Sequence, residues 1–166
     1  MVTKEQIKQQ VKSFFPELLK IRRHLNANHE LSFHEVETAK YISNCLNSWG
    51  VHHKTKVGGN GIVCLIKGNN PDNKVIALRA DMDALPIVEQ NKVDYVSLNT
   101  GIMHACGHDG HMAILAGLGM LLHRQPPRRG RAILLFQPAE ETGEGASRII
   151  HDPKFEGLSP DLVFAL

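Results

Sequence analysis

The chain has 166 residues, 42% of them hydrophobic, and a formal net charge of +2. That is enough for one domain with a real core and too hydrophobic for disorder. The Lys and Arg residues are scattered, which gives no electrostatic case for nucleic acid, and no run approaches the ~18 apolar residues of a membrane span.

The polar start, Met1-Val2-Thr3-Lys4-Glu5-Gln6, is followed by no apolar segment, so no secretory signal is read. Ile7, Val11, Phe14, Leu18, Ile21 and Leu25 then recur at helical spacing. They predict a helix over residues 3–27, with Thr3 and Gln6 as a capping box and Pro16 as a kink or a split. A second amphipathic helix is predicted over 33–49, with Val36, Ala39, Ile42 and Leu46 facing inward and Gly50 ending it. Short strands are predicted at 51–56, 62–66, 75–78 and 132–136, with another beginning at 161–166. Turns are read at 58–61 and 69–73. The strand at 75–78 reads as buried on both faces. Residues 86–103 read as irregular or as holding one short strand, 109–123 as a buried helix, 125–131 as a loop and 146–151 as a helix. Cys45 and Cys64 fall in apolar patterns and read as small buried hydrophobes. An odd number of cysteines, three, makes no disulfide framework and fits a reducing, cytoplasmic location. Helices alternating with short apolar strands predict an α/β layered domain with its site at the carboxyl ends of the strands.

The chemistry is concentrated in three places. Met103-His104-Ala105-Cys106-Gly107-His108-Asp109-Gly110-His111 packs three imidazoles and a thiol into nine positions. These are good ligands for a borderline-soft divalent metal, and a turn at Gly107 lets Cys106 and His108 point at one ion. Asp109 reads as a ligand, a metal-supporting residue or a helix N-cap, and His104 and His111 as weaker ligands, supporting donors or substrate contacts. Gln137-Pro138-Ala139-Glu140-Glu141 ends one apolar run. Adjacent glutamates diverge, by ~100° in a helical turn, so they suit different tasks: one binds metal while the other takes a proton from water. Arg79-Ala80-Asp81-Met82-Asp83-Ala84-Leu85-Pro86 ends another run. Its two carboxylates suit metal binding, orientation of a ligand His or simple turn capping, and Arg79 suits pairing with one of them or with a substrate carboxylate.

These three motifs, in this order, resemble the metal-dependent amidohydrolases: hippurate hydrolases, N-acyl-amino-acid deacylases, acetyl-diaminopimelate deacetylases and auxin-conjugate hydrolases. Arg22-Arg23-His24-Leu25 with Glu30-Leu31-Ser32-Phe33 resembles the opening of the same family, which usually carries His where this chain has Asn26 and Pro where it has His29. The resemblance implies a layered α/β/α, metallopeptidase-like catalytic domain. It implies two divalent metal ions, manganese or zinc, and cleavage of the amide bond of a small-molecule N-acyl amino acid. Cys106, His108 and Glu141 would be metal ligands, Glu140 the general base and Asp81 a supporting residue of the catalytic site. No nucleic acid or membrane partner is expected. Family members are longer and carry two later His ligands and a smaller dimerisation domain. Residues 1–166 are therefore expected to be the N-terminal part of the catalytic domain, truncated, with a homodimer in the full-length form. The chain alone is expected to be weak or inactive, and the alternatives are a non-catalytic metal-binding fragment or a Cys106 nucleophile paired with His104 or His108.

Overall fold

A computed structural model describes residues 3–166; Met1 and Val2 of the polar start lie outside the described residues. Helix α1 spans Lys4–Ala27 as one helix through Pro16. Lys12, whose carbonyl loses the N–H partner that Pro16 lacks, is exposed, so that carbonyl can reach water. The capping box forms: Gln6 N donates to Thr3 Oγ1 (3.2 Å) and Thr3 N to Gln6 Oε1 (2.9 Å). Helix α2 spans Val36–Ser48. It ends in a Schellman motif, with Gly50 at φ +76° and the bonds Val51 N to Leu46 O (2.9 Å) and Gly50 N to Asn47 O (3.0 Å). Its inward stripe departs from the expected one. Ile42 and Leu46 are buried, but Val36 is 57% exposed, and Glu35 and Thr38 are buried in its place.

Strands β1 (His53–Val57), β2 (Gly61–Lys67), β3 (Asn70–Asp81), β4 (Arg129–Gln137) and β5 (Leu162–Ala165) form one sheet in the order β1-β2-β4-β3-β5. The first two pairings are antiparallel and the last two parallel. The turn read at 69–73 is absorbed into the start of β3, whose pairing with β4 is irregular between Asn70 and Val75. The run at 75–78 alternates rather than being buried throughout: Val75 and Ala77 are buried, and Ile76 is 37% exposed. The reason is the edge. Ile76 faces Leu162 of β5, and all four β5 residues are exposed.

Helix α3 (His108–Arg124) is the crossover between the parallel neighbours β3 and β4. It packs with α1 and α2 on one face of the sheet, burying Leu25, Ile42, Leu46, Met112, Leu115, Leu134 and Phe136 in one cluster. The other face carries a smaller cluster of Val57, Val63, Val75, Ala77, Ile133 and Ile149, covered by α4 (Gly145–Ile150) and a 3-10 turn at Pro153–Phe155. This is a three-layer α/β/α arrangement with one thick and one thin helical layer. Cys64 is fully buried, and Cys45 is half-buried. Among the described residues no helix is long and apolar enough to cross a membrane.

The segment 86–103 is irregular and is pinned at its ends by mutual backbone bonds of Leu85 and Met103, each 3.0 Å. Asn26 and His29 hold it to the end of α1: Asn26 Nδ2 donates to Tyr95 O (2.9 Å), and the His29 ring contacts Asn26 O (2.6 Å) and Ile102 O (2.7 Å).

Candidate metal centre

A parallel β3–α3–β4 unit places three segments at one edge of the sheet. Asp81 pairs with Gln137 across β3 and β4, so the exits of the two strands lie side by side, and the N-terminus of α3 comes in above them. Gly107, at φ +81°, makes the reversal into α3 between Cys106 and His108. One ligand atom each from Cys106, His108 and Glu141 then lie within 4.8 Å of one another. Asp81, His108 and His111 form a second such group.

Asp83 organises this centre. It is fully buried. Its Oδ1 accepts from Glu140 N (3.0 Å), and its Oδ2 accepts from Glu141 N (3.0 Å) and Ser32 Oγ (2.6 Å). Its backbone carbonyl faces His108 Nδ1 at 2.8 Å. A carbonyl only accepts, so Nδ1 carries the hydrogen and Nε2 keeps its lone pair. That Nε2 stands 3.5 Å from Asp81 Oδ2 and 4.0 Å from both Glu140 Oε2 and Glu141 Oε1. A lone pair ringed by carboxylate oxygens at these distances is repulsive without a cation. Ligands on one cation at about 2.0–2.3 Å necessarily stand about 3–4 Å apart. Glu141 Oε1 and His111 Nδ1 are buried without a hydrogen-bond partner, as groups awaiting a cation are. The donor set of thiol, imidazole and carboxylate therefore fits a divalent metal. His108 has one free nitrogen, so the two groups that share it are alternatives and not two filled sites.

The two glutamates are unequal. The Glu141 side chain is 19% exposed and faces inward; that of Glu140 is 38% exposed. Asp81 pairs with Arg79, whose Nε also donates to Gln137 Oε1 (2.9 Å). Burial pushes the Asp81 carboxyl up to about 6, with the Arg79 guanidinium opposing the shift. Asp109 is not the N-cap of α3, a place taken by Gly107; it sits in the first turn and accepts from Arg22 Nε of α1 at 2.8 Å. The Cys106 thiol is pushed up, by the neighbouring Glu141 carboxylate first and by slight desolvation next, the opposite of what a nucleophilic thiolate needs.

Asp83 stood beside Asp81 in the sequence as an equal. Its central place and the role of Ser32 depend on pairings across more than fifty residues that no local spacing announces.

His104 is buried with both ring nitrogens unpartnered. Burial, with His29 and His108 nearby, lowers it to about 3. The unfolded chain, with an ordinary value of about 6.5, takes up a proton first, so stability is full above that pH and drains as pH falls through the interval down to the folded value. His104 by itself is expected to contribute a loss of about 1.4 kcal/mol between pH 7.5 and 5.5 in the chelator-treated chain, partly offset by Asp81, whose raised carboxyl takes up a proton in the folded chain over the same interval; urea midpoints read the sum. His104→Leu should flatten that dependence; equal slopes in both proteins would refute it.

Comparison with known proteins agrees with the geometry. Residues 77–166 match the model of peptidase family M20/M25/M40. The chain is 45% identical over 143 residues to an N-acetyl-L-cysteine deacetylase from Bacillus subtilis, covering 86% of this chain and 34% of the relative. It is 41% identical over 147 residues to an N-acyl-L-amino acid amidohydrolase from Geobacillus stearothermophilus, covering 88% of this chain and 40% of the relative. A crystal structure of a Bacillus subtilis protein described as a dinuclear metal-binding peptidase superposes with a TM-score of 0.84 at 39% identity, over 93% of this chain and 43% of that one. The chain thus spans about two fifths of the length of the relatives it matches.

Proposed function

The chain belongs to peptidase family M20/M25/M40, and on that premise we propose that the protein carrying it is a metal-dependent hydrolase of the amide bond of N-acyl amino acids. Residues 1–166 would be the N-terminal part of its catalytic domain, with a smaller dimerisation domain and the rest of the catalytic domain beyond them. The observation that carries this reading is the convergence of Cys106, His108 and Glu141 within 4.8 Å, with Glu140 beside them. The names of relatives at 41–45% identity, a deacetylase and an amidohydrolase, support the substrate class.

Cys106 Sγ, His108 Nε2 and Glu141 Oε1 would hold a divalent cation, manganese or zinc. The resemblance assigns the remaining ligands of a two-ion centre to later histidines. Such cations, when bound, polarise the acyl carbonyl and lower the pKa of water. Glu140, the more open of the two carboxylates, takes the proton of the attacking water and returns it to the nitrogen of the leaving amine. His108 is held in the ligating tautomer by the Asp83 carbonyl, and Asp83 fixes the backbone from which both glutamates leave. Asp81, paired with Arg79, supports the floor of the site.

Co²⁺ binding followed by absorbance separates the roles in the 166-residue chain, which is expected to bind the ion without turnover. Cys106→Ser or Glu141→Gln should weaken binding about tenfold or more, and Glu140→Gln should leave it within a few-fold. In the full-length protein loaded with Mn²⁺ or Zn²⁺, Glu140→Gln should cut amine release from a panel of N-acyl amino acids about 10²–10⁴-fold. A loaded full-length protein that releases no amine from any of them would end this reading.

A further inference from the structure

We propose that Glu35 is a positioning residue for the Glu140-Glu141 pair, acting through the backbone of Ala139. The inference rests on the preceding reading for what that pair does; where the pair sits is tested separately.

Glu35 is fully buried at the N-terminal end of α2. Its Oε1 accepts from Ala139 N at 2.8 Å, across 104 positions of sequence. Its Oε2 accepts from Asn60 Nδ2 (3.1 Å), which also donates to the Phe33 carbonyl (3.1 Å). One carboxylate thus ties together the start of α2, the β1–β2 turn and the loop leaving β4.

Ala139 is where this tie matters. Its φ is +51°, a left-handed conformation that costs a residue with a Cβ about 1–2 kcal/mol. That turn lets the next two amides point at Asp83 and sets the directions in which the Glu140 and Glu141 side chains leave. Ala139 is itself fully buried, so its N–H has no water to fall back on. The Glu35 carboxylate makes the strained conformation the one in which the Ala139, Glu140 and Glu141 amides all have acceptors.

Capping of α2 does not explain Glu35. Its side chain makes no capping bond to the helix. Glu30 serves there, its Oε2 accepting from both Thr38 N and Thr38 Oγ1 at 2.9 Å. Glutamine is a poor substitute at 35, because both groups facing the carboxylate are donors and one of them would meet an amide NH₂. Turning Asn60 over to compensate would forfeit its bond to Phe33.

The test is amide hydrogen exchange by NMR on the metal-free 166-residue chain, with Co²⁺ affinity as a second readout. In the unmodified chain, the Ala139, Glu140 and Glu141 amides should be protected although they lie in a loop. Glu35→Gln should speed exchange at all three about tenfold or more, with Leu115 and Ala116 of α3 unchanged. Glu30→Ala, which loosens α2 without touching residues 139–141, should leave them within about threefold. Glu35→Gln should also weaken Co²⁺ about tenfold where Glu30→Ala does not. Unprotected amides in the unmodified chain overturn the proposal even if Glu35→Gln cannot be folded. So does full protection in Glu35→Gln, or equal loosening by Glu30→Ala. Should the unmodified chain bind no Co²⁺, its three ligands do not suffice without the later histidines, and the amide comparison alone decides for or against Glu35.

Discussion

Gly145→Ala should destabilise the chain by about 3 kcal/mol or more, a drop in melting temperature of roughly 6–12 °C for a domain of this size. A Cβ at this position would fall onto the carbonyl oxygen of Pro138, well inside van der Waals contact. It would also stand 2.8 Å from the Pro138 carbonyl carbon and 3.1 Å from the Ala139 oxygen. All three are backbone atoms of the buried residues Pro138 and Ala139, so no side chain can rotate away. Gly145 N also donates to Ala139 O (3.1 Å), which clamps the two ends of the loop together. Relief requires the 138–145 loop to open, and that loop carries both glutamates. The same substitution should therefore weaken Co²⁺ binding. Gly143→Ala is the informative companion: φ there is +74° but nothing lies within 4 Å of the added carbon, so only conformational strain of about 1 kcal/mol is expected. Thermal melts of the two variants side by side check the argument, and a Gly145→Ala protein that melts with the unmodified chain would defeat it.

The β3–α3–β4 unit was legible because its signals are local: two apolar runs, an apolar helix between them and acidic residues at both exits. Once the two strands are parallel neighbours, the juxtaposition of 79–86 with 137–141 follows from register alone. The gathering of Cys106, His108 and Glu141 was legible for the same reason, as residue types placed at the start of the crossover helix and at a strand exit. What escaped was whatever depends on how the layers meet. Val36 continues a helical apolar stripe, yet it is exposed, because the inward positions at the start of α2 go to Glu35 and Thr38. The hydrogen-bonding demand of a buried loop outranked the pattern there. The left-handed Ala139 was invisible, since alanine advertises no such conformation. The strands at 75–78 and 162–165 read alike as apolar runs, but periodicity carries no word on what covers a sheet edge.

Asp83→Asn tests the hub directly and should cost about 2–4 kcal/mol, as expected when a buried donor loses its charged acceptor and meets another donor. Three donors converge on that carboxylate: two backbone amides and the Ser32 hydroxyl. The hydroxyl can rotate and become an acceptor; the amides cannot. Whichever way the Asn side chain is turned, its NH₂ faces the amide of Glu140 or that of Glu141. The loss should thus exceed that of Ser32→Ala, which removes one donor and leaves the carboxylate its other two bonds, at about 1.5 kcal/mol. Because the displaced amides belong to the glutamates themselves, Asp83→Asn should also weaken Co²⁺ about tenfold or more, whereas Ser32→Ala should shift it only a few-fold. Urea midpoints with unchanged m-values supply the stability comparison. If Asp83→Asn proves no costlier than Ser32→Ala, the glutamate backbone is held by something other than Asp83. If the stability falls as stated but Co²⁺ affinity does not, the amide bonds stabilise the loop without setting the directions in which its carboxylates point.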